Sequence, residues 1–113
     1  MNYKIATTEY FESNVKRLSK KYRSLNDDLR VLKKELLENP TMGDKLSDNT
    51  RKVRMAIASK NKGKRGGARV ITCNILIDVI NTKIYLLAIY DKGEQCSISK
   101  KEIDYLKEIN GLI

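Results

Sequence analysis

The chain has 113 residues, 41% of them hydrophobic, which suits one domain with a modest core and excludes a fully disordered basic protein. It carries 23 Lys and Arg against 14 Asp and Glu, a formal net charge of +9, and it contains no histidine. Without histidine, His metal sites, catalytic triads and imidazole acid–base chemistry are excluded.

The cysteines and the apolar runs indicate a cytoplasmic setting. Cys73 and Cys96 are too few for a disulfide framework, and we expect both to be reduced. The apolar runs are too short to span a membrane, and no apolar segment follows Lys4 as a signal peptide would require.

The N-terminal part predicts a strand and two helices. The strand covers Asn2 to Ala6, Thr8 can cap the first helix, a capping-box pattern at Ser24 starts the second, and Asn39-Pro40 ends it. Each helix has one apolar stripe: Phe11, Val15, Leu18 and Tyr22 in the first, and Leu25, Leu29, Leu32 and Leu36 in the second. The short joint predicts an antiparallel helical hairpin packed by these stripes.

The C-terminal part predicts three strands and a last helix. A polar segment, Thr41 to Thr50, leads into a strand with alternating apolar residues, and Ala68 to Ile77 forms the next strand. Ile84 to Tyr90 is apolar on both faces, which indicates a central strand covered by helices on at least one side. The helix has a capping box (Ser99, Glu102) and an apolar stripe (Ile103, Leu106, Ile109).

The predicted order is β-α-α-β-β-β-α in a single domain spanning residues 1–113. This order indicates the α+β class, with a small antiparallel sheet packed against the N-terminal helical hairpin.

One basic stretch accounts for most of the net charge. Eight of the 23 cationic residues lie between Arg51 and Arg69, and the rest of the chain carries only +1. No acid occurs from Asn49 to Ile77, although a charge run that only keeps a domain soluble would contain intermixed acids. The stretch therefore predicts a surface that binds a polyanion, most commonly a phosphate backbone.

The stretch has a strand and a loop with different expected roles. Lys52 and Arg54 fall on one face of the strand, with Val53 and Met55 on the other. The loop, Lys60 to Gly67, is expected to bury nothing. We interpret five cations as binders of nucleic-acid backbone rather than catalysts: Arg51, Lys60, Lys62, Lys64 and Arg65.

The chain resembles the RelE/ParE superfamily of toxins from type II toxin–antitoxin systems, most closely the RelE/HigB branch. The likeness covers almost the whole chain and lies in the order of elements and in three segments: ENPTMGDKL, KVR…SKNKGKRGGARVIT and IYLLAIYDKGEQCSISKKEI. The resemblance implies a ribosome-dependent endoribonuclease that cuts mRNA in the decoding site, needs no cofactor, and is silenced by a cognate antitoxin.

The chemistry of RNA cleavage suggests roles for the basic residues. The 2′-OH must lose a proton, the phosphorane must be stabilised, and the 5′-oxygen must be protonated. A lysine crowded by cations and partly desolvated can move protons, and arginine suits the phosphorane.

The family motifs K-I-K and S-G-x-R correspond to Lys52 and Arg54, and to Gly66, Gly67 and Arg69. We therefore assign proton transfer to Lys52 and phosphate stabilisation to Arg54 and Arg69.

The sequence departs from the family at two positions. Lys92 and Gly93 stand where a second arginine is expected, and Ser99 where a C-terminal tyrosine is expected. Tyr90 and Lys92 are the candidate substitutes.

Two alternatives stay open: a ParE-like, non-enzymatic poison of DNA gyrase, and an RNA-binding relative that has lost catalysis.

Overall fold

The computed structural model describes all 113 residues, from Met1 to Ile113, as five strands and three α-helices. The strands are β1 (Asn2–Thr7), β2 (Asp44–Ser47), β3 (Thr50–Met55), β4 (Ala68–Leu76) and β5 (Asn81–Asp91), and the helices are α1 (Glu9–Lys21), α2 (Leu25–Glu38) and α3 (Lys100–Ile109). The α+β class is confirmed. None of the three helices has the length and apolar character needed to cross a membrane.

The strands form one mixed sheet in the order β1-β5-β4-β3-β2. The prediction of an antiparallel sheet is wrong at β1, which pairs with β5 in parallel, Asn2 opposite Asn81 and Thr7 opposite Leu86. A parallel pair needs a long crossover, and here the whole chain between the two strands supplies it. Local sequence patterns contain no sign of such a distant pairing.

The polar segment before the basic strand contains a strand that the sequence did not predict. Every residue of β2 is exposed, so no apolar alternation marks it. It pairs with the first half of β3, from Asp44 opposite Lys52 to Ser47 opposite Thr50. The second half of β3, which carries Arg54, is left at the edge of the sheet.

Helices cover both faces of the sheet, which agrees with the prediction that the doubly apolar β5 has helices on at least one side. The apolar stripes of α1 and α2 pack on one face against Val53, Val70 and Leu86. On the other face, Ile103 and Leu106 of α3 pack against a smaller cluster: Ile71, Cys73, Leu87 and Ala88. The third member of the predicted α3 stripe, Ile109, is instead 57% exposed.

Two of the three predicted helix caps are confirmed. The Thr8 hydroxyl accepts from the Phe11 N–H at 3.1 Å, and the Ser99 hydroxyl accepts from the Glu102 N–H at 3.1 Å. The capping box at Ser24 is wrong, because its hydroxyl makes no cap bond. It donates to Asp28 at 2.8 Å and accepts from the Ser59 N–H at 2.8 Å, so it holds the 3₁₀ turn Ala58–Lys60 against α2.

Candidate nucleic-acid interface

Three predicted site residues form one row across three neighbouring strands. Arg54 of β3 is opposite Arg69 of β4, and Arg69 is opposite Tyr90 of β5. Directly opposed residues of antiparallel strands point to the same face, so these side chains share the face that α3 covers farther along. The next row on that face begins with Lys52, opposite Ile71. The register therefore brings together residues that lie up to 38 positions apart in the sequence.

Lys52 and Arg54 are the accessible members of this face. Arg54 is exposed and Lys52 is half-buried, and neither takes part in an ion pair. Arg54 and Lys64 together border two adjacent hollows, one beside the β2–β3 hairpin and one beside α2. An extended strand places residues two apart at about 6.8 Å, so the two cations can contact neighbouring groups of one ligand.

The Arg69 guanidinium is hydrogen-bonded to backbone carbonyls at the end of the basic loop. Its side chain is buried, with 6% of the residue exposed. Its Nη1 donates to the carbonyl oxygens of Lys64 at 2.9 Å and Ala68 at 3.2 Å, and its Nη2 donates to that of Arg65 at 3.1 Å. In this arrangement the guanidinium holds the end of the loop and presents it above the sheet, rather than facing an open phosphate site.

Gly67 explains how the loop can lie so close to β3. A Cβ at this residue would be 2.1 Å from the carbonyl oxygen of Met55, which no side chain could tolerate. The carbonyl of Gly67 also accepts from the Lys92 N–H at 3.0 Å. The glycine is therefore required by close backbone packing at the strand end.

Tyr90 and Lys92 have little access to a ligand through their polar ends. Tyr90 is 4% exposed, and its hydroxyl is buried without a hydrogen-bond partner. Burial raises the pKa of this phenol, and the nearby Arg69 guanidinium only partly offsets that rise. Lys92 is half-buried and its Nζ donates to the Cys96 carbonyl at 3.0 Å, so it closes the turn after β5.

The loop cations divide into two kinds. Lys62, Lys64 and Arg65 are exposed, and none of them forms an ion pair. The Lys60 side chain is only 13% exposed, and its Nζ lies 2.6 Å from Asp91 Oδ1. The expectation that Lys60 to Gly67 would bury nothing is thus wrong at both ends, since Gly67 is buried as well.

Arg51 lies apart from the row. Alternation along β3 places it on the face of α1 and α2, opposite to Lys52 and Arg54. Its Nη1 donates to the Gly43 carbonyl at 3.3 Å, so it contributes positive charge from the far side of the β2–β3 hairpin.

Asp91 belongs to this region although the sequence pattern did not assign it to the site, and its ion-pair partner is Lys60 rather than the neighbouring Arg69. Its carboxylate is 1% exposed and accepts from Tyr22 Oη at 2.5 Å, Lys60 Nζ at 2.6 Å and the Gly93 N–H at 2.9 Å. Burial alone would raise the pKa of Asp91, but the hydrogen bonds from Lys60 and Tyr22 outweigh it and lower the pKa from 3.8 to about 2. The only local signal was an acid at the end of an apolar strand.

The site is rich in cations but also contains acids: Asp44 borders the hollow beside the β2–β3 hairpin, and Asp28 and Glu35 border the one beside α2. No cluster of three or more Cys, Asp or Glu side chains could hold a metal ion. Its exposed lysines and arginines are the groups that bind phosphate and neutralise developing negative charge. No protein-family model matches the chain.

Proposed function

We propose that this protein is the toxin of a type II toxin–antitoxin system and acts as a ribosome-dependent mRNA endoribonuclease. The observation that carries the proposal is a cationic surface in which Lys52 and Arg54 of β3 border one hollow with Lys64, and the loop adds the exposed Lys62 and Arg65. None of these five residues is neutralised by an ion pair. Such a surface favours a nucleic-acid backbone.

The strand cations and the loop cations have different roles in this proposal. The loop cations supply affinity, because a point charge held near the RNA can release counterions without the exact placement that chemistry needs. Lys52 and Arg54 lie on a regular strand and are therefore better placed for chemistry, which needs fixed geometry. In the proposed reaction Lys52 takes the proton of the 2′-OH as its oxygen attacks phosphorus, and it returns that proton to the 5′-oxygen as the P–O5′ bond breaks. Arg54 stabilises the charge of the phosphorane between these two events.

Arg69 has a changed role in this proposal. With three backbone carbonyls as acceptors, it positions the loop and adds positive charge beneath the site. Tyr90 and Lys92 support the same region from β5 and from the turn after it. The catalytic contacts with RNA then fall on Lys52 and Arg54.

The proposed partners follow from charge and from the family resemblance. The ribosome and mRNA supply the polyanion. The net charge of +9 favours an acidic antitoxin, which would cover the cationic surface and keep the protein silent in the cell.

A second function is favoured by the burial of Arg69 and Tyr90. If neither side chain reaches the scissile phosphate, the protein binds RNA on the ribosome and blocks translation without cutting. This alternative keeps the same surface and the same partners, and it differs only in the chemistry.

Induced expression, followed by mapping of RNA ends, distinguishes these functions. The nuclease should stop growth and protein synthesis and should leave new 5′ ends within coding regions of translated mRNA. The binder should stop translation without new ends, and a gyrase poison would produce double-strand DNA breaks. Undiminished growth and translation at high soluble expression would contradict the proposed function altogether.

A further inference from the structure

Lys107, in the last turn of α3, is a buried lysine with unused hydrogen-bonding capacity. The residue is 6% exposed, and its Nζ donates one hydrogen bond, to Asn49 Oδ1 at 3.3 Å. Charge-assisted bonds are usually about 2.7–2.9 Å long, so this one is weak. An ammonium has three donors, and Lys107 takes part in no ion pair.

The other buried charged groups of the molecule are fully matched. Asp91 has Lys60, Tyr22 and the Gly93 N–H within 2.9 Å, and Arg69 has three carbonyl oxygens within 3.2 Å. A buried charge without such partners is costly, which makes Lys107 the exception.

Neighbouring groups do not supply the missing negative charge. The Cys73 thiol is close by, but burial raises its pKa and Lys107 only partly offsets that rise, so the thiol stays neutral. Asp104, one turn earlier on α3, pairs with Lys100 at 2.7 Å. Asn49 Oδ1 is shared with the Thr50 hydroxyl, which donates to it at 2.9 Å.

Lys107 borders a groove that includes Thr50 of β3, the strand that also carries Lys52 and Arg54. The groove runs between α3 and the β2–β3 hairpin, with Ser47 and Thr50 on one side and Lys100, Asp104 and Lys107 on the other. The Asp104 carboxylate is already paired with Lys100, so Lys107 is the lining cation without an ion pair. Thr50 lies on the same face of β3 as Lys52, two residues along the strand. A strand of RNA that contacts Arg54 and Lys52 would therefore enter this groove next.

We propose that the groove between α3 and the β2–β3 hairpin is a second subsite for an RNA phosphate, and that Lys107 binds it. This inference rests on the proposed RNA-binding function and extends it along the strand. A long, flexible lysine can move its ammonium from the weak bond with Asn49 into the groove while its methylene stem stays packed. The phosphate then supplies the counter-charge that the fold lacks.

Fluorescence anisotropy with 2′-O-methyl oligoribonucleotides of three and ten nucleotides tests this subsite, since such RNA cannot be cleaved. Lys107→Met removes the charge and keeps most of the stem, and Lys101→Met on the exposed side of α3 is the control. We expect Lys107→Met to weaken the ten-nucleotide ligand about three- to ten-fold and to lower its log–log salt slope by about 0.7, the value for one single-strand phosphate contact. The three-nucleotide ligand and the control should be unaffected.

A second pair of variants covers the case in which Lys107→Met does not fold. Ser47→Glu places a negative charge at the mouth of the groove, and Ser47→Gln changes the size without the charge. Only the glutamate should weaken the longer RNA. Equal binding by Ser47→Glu and Ser47→Gln, or an unchanged salt slope in folded Lys107→Met, overturns the subsite.

The results that would refute the proposed RNA-binding function differ from those that would refute the subsite alone. If the wild-type protein binds neither RNA, both proposals are overturned together. If the joint change of Lys62, Lys64 and Arg65 to Gln weakens binding while Lys107→Met and Ser47→Glu bind both lengths like wild type, the RNA surface stands and the subsite alone is refuted.

Discussion

Lys60 Nζ lies 2.6 Å from Asp91 Oδ1, and this ion pair joins the start of the basic loop to the end of β5. The lysine is 13% exposed and the aspartate 1% exposed, so water screens the pair poorly. Arg69 holds the other end of the loop through the Lys64 and Arg65 carbonyls. The loop is thus fixed at both ends, and its free cations Lys62, Lys64 and Arg65 lie between.

The first prediction concerns the cost of breaking this pair. Asp91→Asn should destabilise the protein by about 3–5 kcal/mol, because it leaves Lys60 buried without a counter-charge. Asp104→Asn, which breaks the exposed pair with Lys100, should change stability by no more than about 1 kcal/mol. Urea unfolding measures both variants. Similar small losses would mean that the Lys60–Asp91 pair contributes no more than a surface pair.

The second prediction concerns acid sensitivity. The pKa of Asp91 is lowered from 3.8 to about 2, so folding favours its ionised form. The resulting stabilisation, about 2 kcal/mol, is present in full above the unfolded pKa and is lost as pH falls through the folded pKa. The stability difference between wild type and Asp91→Asn should therefore shrink between about pH 5 and pH 2. A difference that stays constant over this range would contradict the lowered pKa.

The third prediction separates the loop cations. Changing Lys62, Lys64 and Arg65 together to Gln should lower the log–log salt slope of RNA binding by about 2, since each phosphate contact adds about 0.7. Stability should change by less than about 0.5 kcal/mol. A control with Lys16, Lys20 and Lys34, exposed on α1 and α2, should leave the slope unchanged. Equal slopes in both triple variants would mean that the loop cations are only hydrated and do not contact RNA phosphates.

The fourth prediction concerns Arg69. Arg69→Lys keeps the charge but cannot bond the three carbonyls with one planar group, and it should lose about 1–3 kcal/mol of stability. Because the loop is then held less firmly, RNA affinity should fall as well. An alternative is direct phosphate stabilisation, in which case cleavage would fall about 10²–10³-fold with stability and affinity unchanged. Melting curves run beside single-turnover cleavage decide between the two.

The sequence predicted the elements well where the pattern was local. The stripe beginning at Phe11 and the caps at Thr8 and Ser99 define α1 and α3, and the doubly apolar β5 is covered on both faces. The strand β2 could not be predicted, because all of its residues are exposed. The parallel pairing of β1 with β5 depends on distant parts of the chain and leaves no local trace.

The candidate site was predictable as a cationic surface but not in its detail. The charge pattern identified Lys52, Arg54 and the loop, and the register then placed Arg54 opposite Arg69. The different roles of Lys60 and Lys62 depend on one contact with Asp91, which is 31 residues away from Lys60. The role of Arg69 depends on loop carbonyls whose positions are fixed only by the folded backbone. Residue type alone does not encode either contact.

Single-turnover cleavage of mRNA on programmed ribosomes, by wild type and by Arg54→Gln, shows whether this surface cuts RNA. Arg54 is exposed and unpaired, so its replacement should leave folding unaffected. We expect wild type to cut within the decoding site and Arg54→Gln to cut about 10²–10³-fold more slowly, while its ribosome affinity changes only slightly. A folded wild-type protein that binds the ribosome and cuts nothing, or an Arg54→Gln variant as fast as wild type, would contradict cleavage at this surface.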